Sequence, residues 1–269
     1  MGVRFVLSVL LPAIVVAGCS RPAERQPAAD RTLIDLSHEY GEQTVFWPTA
    51  DPFKLEKVAD GVTEQGYYYA ANNFSTSEHG GTHIDAPVHF AKGHWSVEQI
   101  PLERLVGDAV VVDVTARCAS QPDYRVSADD LTAWERSNGE IPSGSIVLIR
   151  TGYSTFWPDA TRYLGTSERG AGAVAKLHFP GLHQDAARWL AETRKVKAVG
   201  IDTASIDYGQ STLYETHRIL YERDIPAFEN LTSLDRLPPR GAFIVALPMK
   251  IKGGTGAPLR AIAMLPAQR

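Results

Sequence analysis

The chain has 269 residues, of which 44% are hydrophobic and 22% charged, and a formal net charge of −4. That length and balance can bury a sizeable core in one globular unit, and they exclude a disordered or fibrous chain. The mild acidity, with no stripe of lysine and arginine interleaved with aromatics, argues against nucleic acid as a partner.

The N-terminus stands apart from the rest. Arg4 precedes the apolar run Phe5-Val-Leu-Ser-Val-Leu-Leu-Pro-Ala-Ile-Val-Val16, which is too short to anchor stably across a bilayer and reads as a signal peptide over residues 1–18. Val16-Ala17-Gly18-Cys19-Ser20 then has the form of a bacterial lipobox, in which Cys19 is acylated and becomes the new N-terminus. Acylation of that kind gives lasting membrane attachment through a lipid anchor, so the expected location is extracytoplasmic, as a lipoprotein facing the periplasm or the cell surface. The competing reading is an ordinary cleaved signal with an incidental cysteine. Residues 19–31 have the proline, alanine and charge content of a lipidated, flexible tether, and residues 32–269 form the folded domain. With Cys19 consumed by lipid only Cys118 remains, and no intramolecular disulfide is possible.

Along the domain, residues 32–38 alternate apolar and polar side chains and predict a first strand. A turn-rich loop then presents Phe46, Trp47 and Phe53. The runs at 110–114, 145–149 and 198–201 are short, β-branched and bounded by turn residues, the pattern of buried strands. Ser127, with an acid at Asp130, has the form of a capping box and predicts a helix start. A second helix is expected from His183 or Gln184 to Arg194, and a third after Ser211, carrying Tyr214, His217, Ile219 and Tyr221. Strands with intervening helices predict an α/β or α+β fold around a central mixed sheet.

The densest chemistry lies between these elements, in His79-Gly-Gly-Thr-His83-Ile-Asp85-Ala-Pro-Val-His89-Phe90. Three imidazoles and a carboxylate within eleven positions are what a borderline divalent cation such as Zn²⁺ or Mn²⁺ binds best. A lone histidine is more often structural, but three around an aspartate point to a metal site. Read as an extended, non-helical run, the segment places His83, Asp85 and His89 on one side at period two, with Gly80 and Gly81 folding His79 back toward them.

This run resembles the H-x-G-T-H-x-D-x-P-x-H-F pattern of the cyclase family of metal-dependent hydrolases, which includes kynurenine formamidase and isatin hydrolase. Further matches are Trp47-Pro48, Arg150-Thr-Gly152, Phe179-Pro-Gly-Leu182, Gly200-Ile-Asp-Thr203, Ser205-Ile-Asp207, His217 and Glu229-Asn-Leu231, followed by the tail from Leu247 through Arg260. They span residues 33–265 in the family's order. The resemblance implies a mixed α/β fold of the swivelling β/β/α kind, and homodimers or homotetramers.

A hydrolytic metal keeps a coordination position for water. His79, His83 and Asp85 are therefore assigned as ligands and His89, off the metal, as the proton-handling catalytic group, a division the family also implies. Asp85 has two oxygens and can bridge a second cation, with His217 and Glu229 as the remaining ligands and the two ions roughly 3.5 to 4 Å apart. Glu229 sits in the apolar run Ile225-Pro-Ala-Phe-Glu229, where a buried charge needs a partner or a cation. Taken alone, His217 and Glu229 could be a solvated pair; the family's use of a His and a Glu at this spacing shifts the balance. The cofactor is thus Zn²⁺ or Mn²⁺, as one or two ions.

Phe46, Trp47, Phe156 and Trp157 are expected to line an aromatic pocket or simply the core. Asp202 and Asp207 either orient a ligand or form turns, Arg260 holds a carboxylate or the fold, and His38, His94, His178 and His183 are structural or exposed. Ser75, Ser77 and Thr82 have no base and orienting acid nearby in sequence, against a serine hydrolase. The leading function is a metal-dependent amidohydrolase that uses metal-activated water on a small aryl formamide or cyclic amide, with N-formylkynurenine as type substrate. Isatin or lactone opening is the close rival, and an extracytoplasmic location weakens the kynurenine assignment, because a tethered enzyme would meet imported or environmental compounds. A metal- or ligand-binding surface lipoprotein without turnover is the reading from another class, and the presence of His89 argues against it.

Overall fold

The computed structural model describes Gly2 and residues 31–266. The predicted signal peptide, Cys19 and the tether lie outside the described residues, apart from Gly2 and Arg31. In chain order the strands are β1 (Thr32–Asp35), β2 (Lys54–Val62), β3 (Tyr68–Ser75), β4 (His83–Asp85), β5 (Val106–Asp113), β6 (Arg125–Val126), β7 (Ile146–Arg150), β8 (Gly181–Leu182), β9 (Ala198–Ile201), β10 (Ala227–Glu229), β11 (Arg240–Pro248) and β12 (Gly256–Leu265).

The β-branched runs read from the sequence become β5, β7 and β9, which pair in parallel, and β10 continues parallel to β9. Antiparallel β11 and β12 extend the sheet beyond β5, and β1 pairs with the end of β12. The whole sheet runs β1-β12-β11-β5-β7-β9-β10-β4. It is a mixed α/β fold, as expected, with one feature that periodicity did not announce. The three residues of β4 pair with β10 along one edge and with β12 along the other, so that the sheet closes on itself.

Closure gives the sheet an inner and an outer face, and side chains alternate between them. Ile84, Val111, Leu148, Phe228, Ile244 and Ala257 share one core. Val110, Val112, Val147, Ile149, Val199 and Ile201 belong to the other, under the helical residues Leu131, Leu190, Leu220 and Tyr221. Strands buried on both faces read as unbroken apolar runs, which is why they were legible.

The helix Ala128–Asn138 starts as predicted: Ser127 Oγ accepts from the Asp130 amide while Asp130 Oδ2 accepts from the Ser127 amide. His183 caps Gln184–Arg188, and the predicted extension to Arg194 is present but widened into a π turn over Trp189–Arg194. The third helix is Glu215–Tyr221, shorter than expected, with Tyr214 left-handed at its N-cap (φ 47°, ψ 47°). The predicted first strand ends at Asp35 rather than His38; Ser37 then bridges to Leu231. Among the described residues, no helix is long and apolar enough to cross a membrane.

β2 and β3 form a separate ribbon that no sequence pattern flagged. Leu55 pairs with Phe74 and Val62 with Tyr68, all four exposed and, by the alternation along β3, on one face. Phe74 stacks on Phe53, whose ring meets Tyr40 edge-on. The ribbon leaves the body between Phe53 and Thr76, and the chain on its two sides continues to Ala50 and His79, which line the pocket described next.

Candidate metal centre

β4 supplies the first two groups of the centre. Ile84 points into the inner core, so His83 and Asp85 point the other way, toward the helices. β10 lies antiparallel beside it with Glu229 opposite His83 and Ala227 opposite Asp85, and residues directly opposed across a ladder share a face. His83 Nε2 is consequently 3.1 Å from Asp85 Oδ1 and 3.5 Å from Glu229 Oε2. The helix Glu215–Tyr221 crosses this face and lowers His217 Nε2 to 3.4 Å from both Asp85 Oδ2 and Glu229 Oε1.

His79 and His89 arrive from the ends of the strand. Gly81 is left-handed (φ 55°) and packs against the Tyr40 ring, a conformation that glycine adopts without strain. It turns the chain so that His79 Nδ1 lies 2.7 Å from Asp85 Oδ1. His89 corrects the sequence reading. The extended run stops at Asp85, and Pro87–His89 forms a 3₁₀ turn with Pro87 at its start, where the missing N–H of proline costs nothing. His89 therefore reaches the centre by a turn rather than by strand alternation. Its Nε2 is 4.0 Å from Asp85 Oδ2, and its ring stacks on His79 at 3.9 Å between centroids.

The structure thus gathers all six sequence-predicted residues, His79, His83, Asp85, His89, His217 and Glu229, around one point. Two ligand-like groups share Asp85: His79, Asp85 and His89, and His83, Asp85 and Glu229. His83, Asp85, His217 and Glu229 are each at most 3% exposed. Hydrogen bonds on their far sides orient the two buried rings. The Gly81 carbonyl is 2.9 Å from His83 Nδ1 and Asp207 Oδ2 is 2.5 Å from His217 Nδ1. Both acceptors hold a proton on Nδ1, which leaves the Nε2 lone pairs facing the carboxylates of Asp85 and Glu229. Lone pairs facing carboxylates within 3.5 Å repel unless protons or a cation lie between them, so the donor set fits a divalent metal.

The ionisation of the metal-free centre says the same. Burial opposes charge on Asp85, but His79, His217 and His83 hold its carboxyl well below the usual range. Burial and the Asp85 charge push Glu229 up. Burial would lower His217, yet Asp207, Asp85 and Glu229 outweigh it and raise that imidazole well above its ordinary value, and His83 is raised for the same reason by Asp85 and Glu229. The carboxylates thus favour positive charge on these imidazoles, in the place a cation would fill. His89 goes the opposite way: burial takes it down to about 4, with Asp85 opposing and the other imidazoles assisting. It is neutral at pH 7 and free to accept a proton, a stronger displacement than the ordinary histidine value assumed from sequence.

A pocket of about 330 Å³ opens onto these groups, walled by Phe46, Trp47, Phe90 and Tyr214. Phe46 and Trp47, which the sequence left between pocket and core, line it; Phe156 and Trp157 do not. Trp157 stacks on His38 at 4.2 Å, and Phe156 packs against Tyr153 and Arg162. Asp207 orients His217, whereas Asp202 accepts from the Thr151 amide and hydroxyl and the Gly152 amide and stays away from the centre. Arg260 pairs with the Asp35 carboxylate on the surface. His94 and His178 pair with Asp224 and Asp123, and His183 caps its helix. Sequence reasoning missed Tyr221, whose buried hydroxyl donates to Asp85 Oδ2 over 2.8 Å. It also gave no role to Phe90 or Tyr214, although one follows His89 directly and the other sits three residues before His217.

A family described as putative cyclase matches residues 34–208. The chain belongs to this cyclase family. Among its relatives, the isatin hydrolase of Roseibium aggregatum is 33% identical over 221 residues, covering 79% of this chain and 81% of that protein. The kynurenine formamidase of Salinibacter ruber is 30% identical over 235 residues, covering 86% and 96%. The solved structure of isatin hydrolase A from Ralstonia solanacearum superposes with a TM-score of 0.79 at 36% identity, covering 88% of this chain and 93% of that one. The mixed α/β fold expected from the motifs matches that of this cyclase-family structure.

Asp207, Asp85 and Glu229 favour a proton on His217, and a cation that takes its Nε2 competes with that proton. Adding Zn²⁺ to metal-free protein at pH 7 in weak buffer should release protons, read with a pH indicator, and cation affinity should fall as pH drops. Zinc uptake with no proton release would contradict this account of the centre.

Proposed function

We propose that this chain is a metal-dependent hydrolase that cleaves the C–N bond of a small aryl amide, either a cyclic amide of the isatin type or an aryl formamide of the N-formylkynurenine type. The observation that carries this reading is the meeting of an aromatic-walled pocket with a buried carboxylate and imidazole cluster. The named relatives, an isatin hydrolase and a kynurenine formamidase, support the same substrate class. They are enzymes, and they lend no support to the alternative of a non-catalytic binding lipoprotein.

In this reading His79, His83, Asp85, His217 and Glu229 hold Zn²⁺ or Mn²⁺, with Asp85 shared if two ions bind. A bound cation supplies Lewis acidity toward the scissile carbonyl and a water of lowered pKa. The residues of the chain do the rest. Phe46, Trp47, Phe90 and Tyr214 receive the planar ring and keep bulk water from it. Tyr221 and Asp207 fix Asp85 and His217 in place. His89, neutral and on the pocket wall, takes a proton at Nε2 and returns it to the leaving nitrogen. An anilide nitrogen is a poor leaving group until protonated, so C–N cleavage needs that return step.

The test is elemental analysis of the isolated protein together with assays on aryl formamides, isatins and lactones. Chelation should abolish turnover and Zn²⁺ or Mn²⁺ should restore it; failure on every substrate would favour the binding-protein alternative. His89→Ala should keep the metal and lose about 10²- to 10⁴-fold in kcat. Loss of the metal instead would make His89 a ligand, the second reading that its place beside His79 and Asp85 allows.

We also propose that the chain self-associates and is attached to a membrane. Self-association into a homodimer or homotetramer is supported by the β2–β3 ribbon, because a lone two-stranded ribbon is marginal in water and this one displays Leu55, Val62, Tyr68 and Phe74. Light scattering after gel filtration should find an oligomer, and Leu55→Glu combined with Phe74→Glu should yield monomers; a monomeric parent would end the idea. Attachment to the extracytoplasmic membrane through Cys19 is supported by the lipobox-like sequence. Cys19→Ala should move the protein from the membrane to the soluble fraction, and an unchanged distribution would count against lipidation.

A further inference from the structure

His79 differs from the two buried imidazoles in which nitrogen faces the centre. In His83 and His217 the outward nitrogen is Nδ1. In His79 it is Nε2, which lies 2.9 Å from Thr255 Oγ1, while Nδ1 faces Asp85 Oδ1. Thr255 Oγ1 donates in turn to Glu78 Oε2 over 2.6 Å, an oxygen that also accepts the Thr255 amide over 3.0 Å.

A hydroxyl has one hydrogen to give. That of Thr255 is committed to Glu78, so toward His79 the oxygen can only accept, and the proton it accepts belongs to Nε2. A neutral ring held this way carries its lone pair on Nδ1, aimed at the shared Asp85 carboxylate. The backbone keeps the relay in register. The Ala86 amide donates to the Thr255 carbonyl over 2.8 Å, and Gly256 opposes Asp85 in the β12–β4 ladder. The His79 ring lies so close to Gly256 that a Cβ there would come within 2.5 Å of His79 Cε1.

We infer that Glu78 and Thr255 are positioning residues that lock His79 in the Nε2-protonated tautomer and so make Nδ1 its metal-binding atom. Neither lines the pocket, whereas His79 does. They act through His79 alone, and their loss should be felt in cation affinity before substrate binding. This inference rests on the reading of the cluster as a cation site.

The experiment strips the full chain with a chelator and titrates it with Mn²⁺ and Zn²⁺ against a chromophoric competitor. Thr255→Val and Glu78→Ala should each weaken binding about ten- to hundredfold, the range typical when the outer partner of a liganding histidine is removed. Thr255→Ser, which restores the hydroxyl, should bind nearly as the parent does. The double variant should be little worse than either single one, because both break one relay. Two-bond ¹H–¹⁵N spectra of the zinc-loaded parent should show a protonated Nε2 on His79. Parent-like affinity in both single variants, a Thr255→Ser chain as weak as Thr255→Val, or a protonated Nδ1 would each overturn the inference. A parent chain that takes up neither ion would overturn the cation site and this inference together, whereas normal parent binding with unaffected variants overturns the inference alone.

Discussion

Two carboxylates, Asp85 and Glu229, are buried side by side among imidazole lone pairs, and they cannot keep that arrangement without positive charge between them. This constraint orders the rest of the molecule. It accounts for the raised His83 and His217, for the outward hydrogen bonds that turn each ring, and for the Tyr221 hydroxyl on Asp85. It also assigns the centre a chemistry. A site that concentrates positive charge beside an aromatic-walled cavity suits a carbonyl that must develop negative charge on its oxygen.

The division of labour follows the fold. The groups that meet the charge come mainly from strands and a helix packed on the closed sheet, where neighbours on every side fix rotamers and distances. The walls that meet a substrate ring come from segments between the strands of the closed sheet. Phe46 and Trp47 lie on the loop before the ribbon, Phe90 follows a 3₁₀ turn, and Tyr214 sits in the left-handed region at a helix start. The groups that meet charge and the walls that meet a ring thus occupy different parts of the chain.

What the sequence disclosed, and what it hid, has a physical explanation. The His79 to His89 cluster was legible because its groups are close in sequence and of one chemical type. Glu229 was legible because a carboxylate in an apolar run is out of place unless something neutralises it. Closure of the sheet was not: β4 is three residues long and has no periodicity of its own, and its partners β10 and β12 lie more than a hundred residues away in the chain. The β2–β3 ribbon was hidden because both of its faces are exposed, so alternation between apolar and polar residues is weak. The course of His89 was misread because three extended residues were prolonged through Pro87, itself a signal for a helical start. Thr255 and Glu78 could not have been found, since neither residue type is unusual and only the folded chain brings them to His79.

β4 is both the seam that shuts the barrel and the bearer of His83 and Asp85. A chain built this way has little freedom to drift along β4, because a backbone shift that moves His83 and Asp85 also disturbs the pairing that closes the wall. Variation in what the pocket accepts falls more naturally around the rim, where Trp47, Phe90 and Tyr214 lie outside the closed sheet.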